Sequence, residues 1–139
     1  MTSPLGRSAP WSVMGLATLL GMLCVDWVFD TGDSMQEAKV YYCALLIPVA
    51  FSGVHILMNL SGPPGARVAH LATCAVLLFG GLPCFYISVR AVQSMCSDAD
   101  MAKQMNTLQR AHAALFVIFL ASIALETAGH AARTKPKEQ

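Results

Sequence analysis

Long apolar runs separated by short polar breaks dominate this chain. Val13–Phe29, Val40–Asn59, Val68–Val89 and Leu108–Ala128 are each close to the roughly 20 residues a helix needs to cross about 30 Å of hydrocarbon. The pattern predicts an all-α protein, an integral membrane four-helix bundle with antiparallel neighbours, folded as a single four-span domain over residues 1–139.

The breaks differ in character. The first, Asp30 to about Lys39, carries the turn-forming Thr31, Gly32, Asp33 and Ser34. The second, Ser61-Gly62-Pro63-Pro64-Gly65, is a tight link that should make spans two and three an antiparallel hairpin. The third, from about Arg90 to Thr107, is the longest, and Met95, Met101 and Met105 within it suggest a short interfacial helix facing the bilayer or another subunit. Pro48 and Pro83 interrupt spans two and three, and Gly80-Gly81 beside Pro83 marks the softest part of the third.

Polar residues within the apolar runs define an inward side for each helix. In span one these are Thr18, Met22 and Asp26, in line with Asp30. In span two they are Pro48, Ser52, His55 and Asn59. Span three offers His70, Cys74, Leu77, Gly81, Cys84 and Ser88, and span four Phe119, Ser122, Glu126 and His130. Small residues at Ala114, Ala121, Ala124 and Ala128 leave span four a face on which another backbone can come close.

Composition narrows the class. Of 139 residues, 55% are hydrophobic and 12% charged, where a soluble domain carries about 25% charge. The net charge of +1 is unevenly spread: Arg7, Arg67, Arg133, Lys135 and Lys137 fall on one side of the expected spans, and the acidic first break on the other. The positive-inside rule then puts both ends in the cytoplasm, or in the matrix of a mitochondrion. The first apolar run has no convincing cleavage site and reads as a retained signal anchor. The basic tail is too small for nucleic-acid binding and suits lipid headgroups or a neighbouring subunit. The five cysteines show no metal-site or secreted-scaffold rhythm, although Cys24, Cys43, Cys84 and Cys96 lie toward one side, where one bridge could form.

Candidate chemistry gathers at the two ends of the bundle. On the inner side, His55, His70, Asn59, Glu126 and His130 approach a common layer. On the outer side, Asp26 is placed to pair with Arg110 or His112. The bland reading is a structural polar cluster at each end. The sharper one makes His55 and His70 ligands of a b-type haem, or neighbours of a quinone. No dinucleotide loop, P-loop, His-Glu-x-x-His helix or nucleophile elbow occurs. The expectation is therefore a non-catalytic accessory or assembly subunit of a larger membrane complex, without a cofactor of its own, in contact with other integral membrane subunits and lipid. The mitochondrial inner membrane, with a respiratory or ATP synthase complex, is the favoured setting, and the endoplasmic reticulum the alternative. The rival functions are a membrane redox protein using His55 and His70 and a small lipid enzyme or carrier.

Overall fold

The computed structural model describes residues 9–28, 35–95, 97 and 100–134, and the side chains of 11–23, 43–95, 97 and 100–133. Among these residues the protein is all-α, with four helices: α1 (Ala9–Val28), α2 (Met35–Asn59), α3 (Pro64–Met95) and α4 (Met101–Thr134). By length and composition, Pro64–Met95 and Met101–Arg133 are able to cross a membrane, and Trp11–Leu23 and Cys43–Asn59 are shorter apolar stretches.

The helices outrun the apolar segments, for local reasons. Pro64 opens α3, where its missing N–H would have had no partner, and the extended Pro63 accepts the Arg67 N–H at 2.9 Å. Asp100 starts α4: its Oδ1 accepts the Lys103 N–H at 3.3 Å and its carbonyl accepts that of Gln104 at 3.0 Å. Among the described residues, no separate interfacial helix forms between α3 and α4. Met95 ends α3, while Met101 and Met105 belong to the first turns of α4.

Within α3, Leu77–Gly81 forms a π turn, closed by the Leu82 N–H on the Leu77 carbonyl. It ends two residues before Pro83, whose ring has no N–H to give and would crowd the Phe79 carbonyl in a regular helix. The wide turn lets α3 continue through the proline. In α2 the helix passes Pro48 without interruption, and Ser52 Oγ donates to the Pro48 carbonyl at 2.6 Å.

Packing gives the bundle a definite order. α1 lies against both α2 and α4, and α3 against α4, whereas α2 and α3 touch far less. The sequence of neighbours is thus α2, α1, α4, α3, with the α2–α3 seam the loosest of the four, despite the tight link that joins these two helices. Glycines set two of the close seams. A Cβ on Gly15 would fall 2.2 Å from Ser52 Oγ, and one on Gly80 would fall 3.1 Å from Ile118 Cδ1. Leu16, Leu19, Leu45 and Ile56 form the core, and Met22, Leu77, Phe85, Phe119 and Ile123 pack around it.

Polar side chains share the interior with this apolar core, and much of the outer surface is apolar. Ser12, Ser52, Asn59, His70, Thr73, Ser88, Ser122 and Glu126 are buried, while large apolar side chains such as Ile47, Val68, Leu82 and Val117 face outward and Phe79 is 83% exposed. The inward sides expected for spans two, three and four are broadly those observed. In α1 the buried face is Ser12, Gly15, Leu16, Leu19 and Leu23, with the expected Met22 half-buried beside it and the Asp26 side chain outside the described residues. Thr18 is exposed, and its hydroxyl is satisfied by the Met14 carbonyl at 2.9 Å.

Candidate functional site

Four side chains, one from each helix, meet at one end of the bundle: Ser12 near the start of α1, Asn59 at the end of α2, His70 in the second turn of α3 and Glu126 toward the end of α4. All four are fully buried. Their meeting requires successive helices to run in opposite directions. Ser12 Oγ donates to Glu126 Oε2 at 2.7 Å, and Asn59 Nδ2 lies 3.3 Å from the same oxygen and 3.4 Å from Ser12 Oγ. On the other carboxyl oxygen, His70 Nδ1 sits 2.9 Å from Glu126 Oε1. A single proton on that line completes the Nδ1–Oε1 contact, whichever atom carries it, while His70 Nε2 on the far side of the ring is buried without a partner.

The surroundings hold this arrangement in place. A Cβ on Gly129 would come within 2.7 Å of His70 Cε1 and 3.0 Å of its Nε2, so the absence of a side chain there makes room for the imidazole. Arg133, one turn further along α4, donates from its guanidinium to the Asn59 backbone carbonyl, which also accepts the Gly62 N–H at 3.2 Å in the turn that ends α2. The same guanidinium lies against Gly62 of the α2–α3 link, and Arg67 Nη2 donates to the Gly62 carbonyl at 3.3 Å.

The sequence-derived site is thus assembled in part. Asn59, His70 and Glu126 come together, with Ser12 as an unforeseen fourth member. His55 does not join them: its ring lies 4.5 Å from that of Phe51 and stacks 6.5 Å from that of Trp11. His130 is half-buried, one turn beyond Glu126. At the other end, His112 is buried and Arg110 exposed, while the Asp26 side chain expected to pair with them lies outside the described residues. Among the described cysteines, Cys43, Cys74 and Cys84 are free thiols; Cys24 and Cys96 lie outside the described side chains. No group of three or more metal-ligating side chains occurs among the described residues.

Beside the cluster lies an apolar cavity of about 400 Å³. Its inner wall is built from Leu16, Leu19, Ile56, Leu77 and Phe119, and its mouth opens along the α2–α3 seam between the exposed Leu46, Val49 and Leu57 of α2 and Leu78 and Leu82 of α3. Ser52 and Cys74 are the polar side chains on its wall, and neither His55 nor His70 lines it. The cavity therefore offers shape and dispersion contact, with no acid or base aimed into it. Compared with protein-family models, curated proteins and solved structures, the chain matches none significantly.

Proposed function

We propose that this chain is a four-span integral membrane protein, with both ends on the cytoplasmic or matrix side, that acts as a non-catalytic accessory or assembly subunit of a larger membrane complex. The observation that carries this reading is the use made of Glu126. It is the one acidic residue among the described buried side chains, and both of its oxygens are taken up by partners from the other three helices. A carboxylate so enclosed fastens helices together, and no substrate reaches it. The outer surface supports the same reading, because large apolar side chains face outward on every helix, as contact with lipid and with other membrane helices requires. The exposed Ala121, Ala124 and Ala128 of α4 suit close approach by a neighbouring subunit.

The test is the native mass of the particle released from its own membrane by a mild detergent, with absorbance across the haem region recorded in the same separation. The expected result is a particle several times heavier than one 14.8 kDa chain in its micelle, with other integral membrane proteins in fixed proportion. Migration as a monomer would overturn the subunit reading. A haem band travelling with that monomer would move the function to a redox carrier.

A further inference from the structure

We infer that the α2–α3 seam is a binding site for one glycerophospholipid, with an acyl chain in the apolar cavity and the phosphate against the guanidiniums at the α2–α3 link. The inference rests on the membrane-spanning reading above, since that reading turns the mouth of the cavity toward hydrocarbon. Three observations identify the occupant. The first is polarity. The wall carries two polar side chains, and the Ser52 hydroxyl is already committed to the Pro48 carbonyl, so ordered water has too few partners to stay there. An empty space of this size forfeits dispersion contacts, which a hydrocarbon chain entering from the bilayer restores.

The second is shape. The α2 wall runs from Leu45 to Leu57 and the α3 wall from Cys74 to Phe85. At a 1.5 Å rise per residue these walls are about 16–18 Å long. That is close to half of a roughly 30 Å hydrocarbon core, the depth of one leaflet and the reach of one acyl chain. The third is charge. Leu57 at one end of the cavity is followed, within two turns, by the link at Gly62, where the Arg67 and Arg133 guanidiniums converge. A phosphate there would meet bidentate donors at headgroup depth while its chain followed the seam downward.

Gly53 supplies a clean variant. It lines the cavity, and a Cβ added to it would meet nothing within 4 Å, so the Gly53→Phe side chain leaves the helix unobstructed and its ring competes for the cavity space. The full chain, reconstituted in phosphatidylcholine vesicles, would be photolabelled with a phosphatidylcholine carrying a diazirine in mid-chain and, in parallel, with the matching diacylglycerol. The site predicts labelling concentrated on residues 46–57 and 74–85, above that on the outward Val117 and Leu120. Gly53→Phe should lower it about tenfold, the change that 1.4 kcal/mol produces, and Gly53→Leu by less. Arg67→Gln should erase the preference for the phospholipid over the diacylglycerol. Even labelling around the perimeter of a chain that resists alkaline carbonate extraction, or labelling indifferent to Gly53→Phe, would overturn the site and leave the subunit reading standing. Equal labelling by both lipids would remove the phosphate contact. Extraction of the wild-type chain by carbonate would overturn the spanning reading and the site with it.

Discussion

At the scale of single residues, the cluster around Glu126 makes unequal demands on its members. Glu126→Ala leaves the Ser12 hydroxyl, the Asn59 amide and the His70 imidazole without their shared acceptor in a dry interior. We expect it to lower stability by about 2–3 kcal/mol in detergent unfolding, since each single hydrogen bond is worth little on its own. Glu126→Gln keeps an oxygen for Ser12 and an amide for His70 Nδ1, and should cost about 1 kcal/mol. Gly129→Ala tests the space around the ring. Its new methyl would fall 2.7 Å from His70 Cε1 and 3.2 Å from Ala69 Cβ, and the ring is tied through Nδ1, so a loss of about 1–3 kcal/mol is expected. Gly21→Ala, which meets nothing within 4 Å, should be neutral or stabilising by about 0.5 kcal/mol in the same assay. Asn59, His70 and Glu126 were legible in the sequence because a polar residue inside an apolar run is conspicuous. Ser12 was not. Helical hydroxyls commonly bond back to their own helix, as Thr18, Ser52, Thr73, Ser88, Ser122 and Thr127 do here with the carbonyl four residues earlier. One serine that bonds across to another helix has no mark to distinguish it.

At the scale of elements, the apolar runs located four helices, but their ends were set by chemistry that hydropathy does not weigh. Asp100 is a helix-starting residue followed by the polar helix formers Lys103 and Gln104, so α4 begins before the apolar run does. The softness expected around Gly80, Gly81 and Pro83 takes the form of a π turn, a feature the Pro and Gly spacing signals without specifying. The seams follow the same logic. Gly15 and Gly80 permit close approach of α1 to α2 and of α3 to α4, and a branched side chain at either should push its pair apart. Gly15→Leu and Gly80→Leu are expected to cost about 2–3 kcal/mol each. Because the two sites lie in different seams, the double variant should lose nearly the sum, which detergent unfolding of all three variants would check.

At the scale of the whole molecule, the order α2, α1, α4, α3 leaves one seam underpacked, and no single-chain pattern could have announced it. The leucines that line the cavity are the same residues whose periodicity indicates a core. Whether they close on one another depends on how the helices lean. The polar cluster fixes the bundle at one end and the cavity begins about one turn below it, so the molecule is tied at the Gly62 link and loose along the seam. That looseness has a mechanical meaning. Where its open mouth is not filled by lipid or detergent, a cavity of about 400 Å³ is volume the folded chain carries and a collapsed or solvated one does not. Losing a third of it would shrink the molar volume by ~80 mL/mol, within the ~20–100 mL/mol that separates folded from unfolded states of soluble proteins. Hydrostatic compression should therefore lower the stability of the detergent-solubilised protein, and Gly53→Phe, which takes up part of the void, should raise the unfolding pressure. Pressure reads the bundle as a vessel, soft when empty and stiff when filled.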